Sequence, residues 1–246
     1  QQMLVLCTMI DFAIKTLVWE TSDIDPPRII MHGGGGVGKS FVIKLIAQWM
    51  EKLLRKAGDH PLKPKLCLLA PTGIAAHLID GTTYQTGLGF KFGTKYLPLR
   101  DTKLEEFRKL FEDLVLIVLD EMSMVSSDRL YDIHRRMTEI FISKDHFGGI
   151  AMLVVGDLLQ LPPVRGAKIH EKPFSKKNAA FWNSDDSLWE SLDTITLEVS
   201  FRHGVSTWTE CLNRLRVGTV TQEDERLLES RRLSLFPDLD VSSATH

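Results

Sequence analysis

The sequence predicts an α/β fold in which helices cover both faces of a parallel sheet. Three observations predict it: apolar strands alternate with helical stretches, the run 114–119 has no polar interruption, and polar side chains cluster where the strands end. Strands buried on both faces read as continuous apolar runs because neither face meets water. With 246 residues, 43% hydrophobic and 25% charged, the chain can form one large domain with appendages.

The elements follow in order along the chain. An amphipathic helix is expected over residues 4–18, before a polar, proline-containing turn. Strands are expected over residues 28–32, 66–70, 114–119, 150–155 and 194–197. Helices are expected over residues 39–56, shortly after residue 73, and over residues 128–141, 207–217 and 222–231. The domain boundaries that we expect are 1–27 for the first helix and lead-in, 28–204 for the main domain, and 205–246 for the last helices.

A glycine-rich segment follows the first predicted strand. It consists of Gly33, Gly34, Gly35, Gly36, Val37, Gly38, Lys39 and Ser40. Residues without Cβ let the loop take positive φ angles, so that backbone N–H groups approach phosphate oxygens closely. Lys39 can then reach the β and γ phosphates and Ser40 can coordinate Mg²⁺, while the helix that begins there points its positive dipole end at the anion. The segment predicts a P-loop that binds ATP, or a close relative of it, together with Mg²⁺.

An acidic pair, Asp120 and Glu121, directly follows the apolar run 114–119. Hydrolysis of a γ-phosphate requires a metal that neutralises developing charge and a carboxylate that orients or deprotonates the attacking water. We expect Asp120 to hold Mg²⁺ and Glu121 to face the water, because successive side chains of a strand point in different directions. Taken alone, such a pair is equally typical of a surface turn.

Two further groups follow later strands. Asp157 and Gln160 come just after the run 150–155, where a carboxylate and an amide can sense the γ-phosphate. Arg202 follows the last predicted strand and is a candidate cation for charge that develops on that phosphate. The alternatives are an ordinary turn for the first group and a solvated arginine for the second.

Net charge limits how the chain can contact nucleic acid, and cysteine content indicates its redox compartment. The formal charge is -2, so any nucleic-acid contact must come from local patches. Two stretches, 90–103 and 165–177, mix cations with aromatic rings and can line a path for a single strand; the alternative is solvated loops with a few buried rings. The three cysteines are far apart and form no metal-ligand pair, which suits a reducing compartment. The first helix is too short and too charged to span a membrane, and it lacks a secretory layout.

The order of these motifs resembles that of the superfamily 1B DNA helicases, specifically the Pif-type (petite integration frequency) enzymes and their RecD-like relatives. Five blocks match in order, over nearly the whole chain: residues 33–40, 70–76 (APTGIAA), 119–125 (LDEMSMV), 156–164 (GDLLQLPPV) and 197–203 (LEVSFRH). The resemblance implies a RecA-like sheet and an ATP-driven motor that moves 5′ to 3′ on single-stranded DNA and separates duplexes.

The resemblance also implies roles for single residues. Asp120 would be the metal-shell acid, Glu121 the catalytic base and Gln160 the γ-phosphate sensor. Arg202 would be a γ-phosphate cation, and Gln2 the glutamine that recognises adenine. The residues that would touch DNA are Pro71, Thr72, Gly73 and Thr83. Positions that depart from the family pattern are Gln85, Thr86, Ser200 and His203.

Members of this family carry two RecA-like motor domains with the nucleotide between them, and the sequence matches the first. We therefore expect a first motor domain, acting as a monomer, that binds nucleotide weakly and unwinds nothing without a second one. The implied setting is DNA repair, recombination or telomere maintenance, in the nucleus or mitochondrion of a eukaryote and otherwise in the cytoplasm, with no secretion. Single-stranded DNA and duplex junctions are the implied partners. A P-loop kinase and an inactive nucleotide- or DNA-binding fragment derived from a mobile element are the rival readings.

Overall fold

The computed structural model describes residues 1–18, 24–91, 96–182, 187–201 and 206–232. Within them, one sheet contains the strands β1 (Arg28–Gly33), β2 (Leu66–Ala70), β3 (Thr82–Thr83), β4 (Leu116–Leu119), β5 (Ala151–Gly156) and β6 (Asp193–Leu197). The order across the sheet is β3-β2-β4-β5-β1-β6, and every neighbouring pair is parallel. The predicted parallel α/β fold is confirmed.

Helices connect the strands. The described helices are α1 (Gln2–Val18), α2 (Lys39–Leu54), α3 (Gly73–Leu78), α4 (Tyr84–Gly87), α5 (Asp101–Leu110), α6 (Ser127–Phe141), α7 (Lys176–Trp182), α8 (Thr207–Val217) and α9 (Gln222–Glu229). The predicted elements agree with these to within three residues at either end. The sequence prediction lacked β3, α4, α5 and α7.

Both faces of the sheet are buried along the central strands β4 and β5, whereas the edge strand β6 is largely exposed. Alternate residues of each central strand belong to different core clusters: Ile117 and Leu119 of β4 pack into one, and Leu116 and Val118 into the other. The first cluster also contains the apolar face of α6, and the second contains those of α1 and α2. Neither face of β4 therefore presents a side chain to solvent, and all four of its residues are buried.

The first helix, α1, is part of this core. Val5, Met9, Phe12 and Ala13 recur at helical spacing and are buried beside α2. Cys7 lies on the opposite, exposed face, whereas the other two cysteines are buried. No helix among the described residues combines the length and the apolar character that crossing a bilayer requires.

The chain divides into two compact units, residues 1–199 and 200–246. The first contains the sheet and α1 to α7. In the described part of the second unit, α8 and α9 form a helical pair in which Arg214 donates to both carboxylate oxygens of Asp224, at 2.8 and 2.7 Å. Asp224 also accepts from the backbone N–H and the hydroxyl of Thr221, which completes a capping box at the start of α9. The predicted boundary between residues 204 and 205 falls outside the described residues.

Candidate functional site

The topology gathers the predicted site residues at one rim of the sheet. Because all strands are parallel, their carboxyl ends share that rim, where ligands of open α/β sheets bind. The adjacent strands β4, β5 and β1 lead into Asp120, Asp157 and the phosphate loop respectively. Three segments that are far apart in sequence thus end side by side.

The phosphate loop has the backbone that its glycines make possible. Gly36 and Gly38 have φ values of 80° and 85°, in the left-handed region that glycine adopts without strain. A Cβ on Gly33 would lie 2.7 Å from the carbonyl oxygen of Leu197, so β6 leaves room for no side chain there. Gly38 provides no side-chain cap for α2, and the first N–H groups of this helix therefore remain available to an anion.

Lys39 folds back over this loop. Its ammonium donates to the carbonyl oxygens of Gly33 and Gly34, at 2.8 and 2.9 Å. The charge is thereby held directly above the glycines, where phosphate oxygens would compete with these two carbonyls. A charge-assisted hydrogen bond to phosphate is stronger than one to a neutral carbonyl. The Lys39 ammonium can therefore exchange its two carbonyl partners for phosphate oxygens when an anion binds.

The start of α1 contacts the same region. The Gln2 side chain donates to the carbonyl oxygen of Val37 at 2.6 Å. The Gln1 amide donates to the carboxylate of Glu198 at 3.2 Å and accepts from its backbone N–H at 3.0 Å. These contacts tie the beginning of the chain to the phosphate loop and to the end of β6. Gln2 therefore lies beside the loop, as the role implied for it requires.

Asp120 is buried, with 5% of its surface exposed. Burial raises the pKa of its carboxyl to about 6, and the neighbouring charge of Glu121 adds to the rise. The backbone N–H of Glu121 and the ammonium of Lys39 act in the opposite direction. Lys39 and Asp120 are thus close enough to interact electrostatically, which puts the phosphate loop and the acidic residue on the same side of the sheet.

The backbone at Glu121 differs from the one expected. We predicted strand alternation, but β4 ends at Leu119 and Glu121 adopts a left-handed conformation with φ 52° and ψ 48°. This turn redirects the chain into a short 3-10 helix, Met122–Met124. Gly156 permits the turn, because a Cβ there would lie 2.8 Å from the backbone nitrogen of Met122. Four other described residues with a Cβ also have a left-handed φ, so this conformation alone does not identify a functional site.

This conformation gives a stability prediction. A left-handed residue with a Cβ costs about 1–2 kcal/mol, so we expect Glu121→Gly to be more stable than Glu121→Ala by about 1 kcal/mol. At Glu106, an exposed position inside α5, the same two substitutions should rank in the opposite order by a similar amount. Urea unfolding of the four variants measures both differences. If Ala exceeds Gly at both positions, residue 121 is not strained.

Two oxygen-bearing side chains at the rim, those of Ser40 and Asp120, are suitable ligands for Mg²⁺. Ser40 is exposed in the first turn of α2, and Asp120 is on the same side of the sheet as Lys39. Mg²⁺ prefers oxygen ligands and takes one or two from protein, with phosphates and water completing its shell. A hydroxyl and a carboxylate therefore suffice as the protein's share.

The segment after β5 forms a tight turn. The Asp157 carboxylate accepts from the backbone N–H of Leu159 at 3.1 Å, and its carbonyl accepts from that of Gln160 at 3.0 Å. His32, at the end of β1, accepts from the backbone N–H of Leu158 at 3.4 Å. Asp157 is buried and Gln160 is exposed at the rim. His32, which the sequence analysis did not select, joins this turn to the strand that carries the phosphate loop.

The predicted DNA-contacting residues lie further along the same rim. Thr83 pairs with Ala70 in the sheet, so it lies beside the segment that begins at Pro71. The hydroxyl of Thr72 accepts from the N–H of Ala75, and that of Thr83 accepts from the N–H of Thr86, so each caps a short helix. The two motifs form one surface, at which the family role of Pro71, Thr72, Gly73 and Thr83 remains a prediction.

The two described rings of the stretch 90–103, those of Phe90 and Tyr96, contact other side chains of the protein. Phe90 is 9% exposed, and the guanidinium groups of Arg129 and Arg136 lie 5.4 and 5.1 Å from its centroid. Tyr96 lies under Arg135, at 3.9 Å, and its hydroxyl donates to Glu139. Phe90 thus agrees with the alternative of buried rings and Tyr96 is partly buried, while the single-strand path along this stretch stays a prediction.

The other basic stretch, 165–177, is largely exposed. Lys168 pairs with Glu171 at 3.8 Å, and the backbone at residues 174 and 175 is held by the carboxylate of Asp128. The cations Arg165, Lys172, Lys176 and Lys177 are exposed. Arg202, Phe92, Lys95 and His203 lie outside the described residues.

The comparisons with known proteins agree with this arrangement. The family model described as "PIF1-like helicase" matches residues 12–226. The chain belongs to the PIF1-like helicase family. It is 30% identical over 197 residues to ATP-dependent DNA helicase PIF1 of Emericella nidulans, which covers 78% of the chain and 25% of that helicase. Against ATP-dependent DNA helicase RRM3 of Saccharomyces cerevisiae, the identity is 28% over 202 residues, with 79% and 26% covered.

Solved PIF1-like structures share the fold. The Bacteroides Pif1 helicase, solved in complex with ADP-AlF3 and ssDNA, has a TM-score of 0.63 and 27% identity to this chain. The alignment covers 90% of the chain and 50% of the Bacteroides protein. This PIF1-like chain thus spans about a quarter of the length of its helicase relatives and half of that solved chain. The RecA-like sheet expected from the sequence is confirmed.

Proposed function

We propose that this chain is a motor domain of an ATP-dependent DNA helicase that binds ATP with Mg²⁺ and single-stranded DNA at one rim of its sheet. The observation that carries the proposal is that the phosphate loop and the predicted DNA-contacting segment lie at the same rim of the sheet. The strands that precede the phosphate loop and Pro71 are three positions apart, which is roughly 15 Å at the usual spacing between strands. A nucleotide and a DNA strand can therefore bind simultaneously.

In this proposal Lys39 and the N–H groups that begin α2 bind the phosphates, and Ser40 and Asp120 hold the metal. Mg²⁺ supplies neutralisation of the charge that develops on the phosphate oxygens. Glu121 orients or deprotonates the attacking water, and the exposed amide of Gln160 senses the γ-phosphate. Arg202 would add positive charge at the same phosphate.

One hydrogen bond links the two candidate sites directly. The backbone N–H of Asp120 donates to the carbonyl oxygen of Leu69 at 2.8 Å, two residues before Pro71. A shift of Asp120 when the γ-phosphate leaves would thus move the end of β2. The segment that begins at Pro71, which we propose contacts DNA, would move with it. The proposed coupling needs no long-range pathway, because β2 and β4 are neighbours.

The activity of a whole protein goes beyond this chain. We propose 5′ to 3′ movement on single-stranded DNA and opening of duplex junctions, by a monomer in which a second motor domain closes the nucleotide site. The proposed setting is DNA repair, recombination or telomere maintenance, in a nucleus or mitochondrion. The names and bound ligands of the relatives support this proposal.

ATP hydrolysis with and without single-stranded DNA tests the proposed function. It should be measured on this chain alone and on this chain fused to the second motor domain of a Pif1 relative. We expect hydrolysis by the fusion to rise at least tenfold with oligo(dT), because DNA completes the coupled site. Hydrolysis that is indifferent to DNA in the fusion would favour the kinase alternative.

Gln2 offers a test of nucleotide choice. We expect Gln2→Ala to weaken binding of Mg·ATP by several-fold and to reduce its preference over Mg·GTP, because the amide contacts the phosphate loop beside the proposed adenine position. Calorimetric titration measures both affinities. Gln1→Ala is the matched control, since that amide contacts Glu198 instead. Equal behaviour of the two variants would remove Gln2 from the nucleotide site.

A further inference from the structure

A small cavity lies beside the start of α5, away from the phosphate loop. Its volume is about 200 Å³, and its walls come from residues 89–91, from residues 97–103 and from α6. Gly89 shapes one wall: it has φ 65°, and a Cβ there would lie 2.9 Å from the ring of Phe107 on α5. The cavity is smaller than the 300–1,000 Å³, approximately, of sites for drug-sized ligands, so it suits a single small group.

The lining is strongly basic. Five cations contribute to it: Lys91, Arg100, Lys103, Arg129 and Arg136. No aspartate or glutamate is among the described residues that line it. Arg100 and Lys103 come from the N-terminal end of the ten-residue helix α5, whose dipole also favours an anion. The cavity therefore concentrates positive potential from three segments of the chain.

Arg136 is the least exposed of these cations, with 1% of its surface accessible. One terminal nitrogen donates to Glu139 at 2.7 Å and the other donates to the carbonyl oxygen of Leu97 at 3.0 Å. Its Nε has no hydrogen-bond partner in the described structure. A buried N–H of a charged group normally has an acceptor, because leaving it unsatisfied costs free energy. This N–H is itself inaccessible to solvent, so Arg136 contributes its positive charge to the cavity rather than an available donor.

Two carboxylates near the cavity are already engaged, whereas Asp101, in the first turn of α5, is exposed between Arg100 and Lys103. Asp132 is paired with Arg129 at 3.1 Å, and Glu139 binds both Arg136 and the hydroxyl of Tyr96. These pairs fix the two arginines and leave Arg100 and Lys103, both exposed, beside them. An oxygen-rich anion such as a phosphate group matches these donors, since arginine and lysine are its usual partners.

We propose that this cavity binds a phosphate group of the single-stranded DNA backbone. The assignment of the source rests on the proposed function, whereas the phosphate chemistry rests on the lining. Gly89 follows Thr83 by way of the four residues of α4, so the cavity lies roughly 10 Å from the predicted DNA surface. A strand that passes over Thr83 would place a neighbouring phosphate at the cavity.

The test compares two double variants that each remove two positive charges. Arg100→Ala/Lys103→Ala removes two of the three exposed cations of the cavity, and Lys109→Ala/Lys144→Ala removes two exposed lysines elsewhere. Arg136 is left intact because it also holds Leu97 and Glu139. Fluorescence anisotropy with labelled oligo(dT) of about 15 nucleotides measures affinity between about 50 and 200 mM salt. Calorimetry with inorganic pyrophosphate, in a Lys39→Ala background, measures anion binding without the phosphate loop.

We expect the cavity variant to bind oligo(dT) about tenfold more weakly and with a salt slope smaller by about 0.7, the loss of one phosphate contact. The affinity of the control variant for oligo(dT) should change less than about twofold. Pyrophosphate binding should be lost only in the cavity variant. Pyrophosphate binding that depends on the cavity while DNA affinity does not change would overturn the assignment to DNA. Equal effects of the two double variants on both ligands would overturn the site itself. If the unsubstituted chain fails to bind oligo(dT), the proposed function fails, and the pyrophosphate result still decides the site.

Discussion

Replacing Lys39 with alanine is expected to abolish most nucleotide binding by this chain. Its ammonium is held above the phosphate loop by two carbonyl oxygens, so the substitution removes a positioned charge without disturbing the core. We expect Mg·ATP affinity to fall at least tenfold and hydrolysis by the fused two-domain form to fall by roughly 10²–10³, the usual effect of removing a group that stabilises transition-state charge. Calorimetry and a phosphate-release assay measure the two quantities.

Lys44→Ala is the matched control for this prediction. Lys44 lies on the same helix, is 45% exposed and pairs with Asp80 at the surface. Its removal should leave nucleotide affinity within about twofold, since exposed ion pairs contribute little. Should both variants bind Mg·ATP as tightly as the parent chain, the phosphate loop would not be the nucleotide site.

Asp120→Asn is expected to raise the stability of the nucleotide-free chain and to remove its response to Mg·ATP. Burial raises the pKa of this carboxyl from 3.8 to about 6. The folded state thus favours the protonated form, and the stability contributed by that proton is lost as pH rises from about 4 through 6. Above pH 6 the buried charged carboxylate lowers the free energy of unfolding by about 3 kcal/mol, at 1.36 kcal/mol per pKa unit. An amide, which is neutral at every pH, avoids that cost.

Urea unfolding at about pH 4 and about pH 7.5 measures this difference. The variant should gain up to about 3 kcal/mol over the parent at the higher pH and little at the lower. Mg·ATP should stabilise the parent and leave the variant unchanged, because the metal ligand is gone. Asp80→Asn, at an exposed position, should show neither effect. A gain that is equal at both pH values would show that burial of charge at residue 120 is not its cause.

The strands that the sequence predicted well are those buried on both faces. In β4 and β5 every residue is buried, and continuous apolar runs identified them. The missed elements lack that signal. β3 has two residues, too few for any periodicity, and α5 has no buried residue and an N-cap, Arg100, without a side-chain cap. The spacing of Leu104, Phe107 and Phe111 was the available sign of α5.

The candidate site was predictable in composition but not in backbone detail. The glycine segment and the acidic pair specify chemistry by residue type, and parallel topology brings them together. The left-handed conformation of Glu121 depends on close packing against Gly156, a contact between distant segments. The bond between His32 and Leu158 similarly arises only when β1 and β5 pair. No local pattern encodes either of them.

The exposed face of α1 offers a labelling position near the candidate nucleotide site. Cys7 is the exposed cysteine of three, and it lies five residues along the helix from Gln2, roughly 8 Å at the usual helical rise. A maleimide dye would therefore label this thiol selectively under native conditions, with no need to replace Cys67 or Cys211. Its emission would report changes at the carbonyl of Val37 that Gln2 contacts.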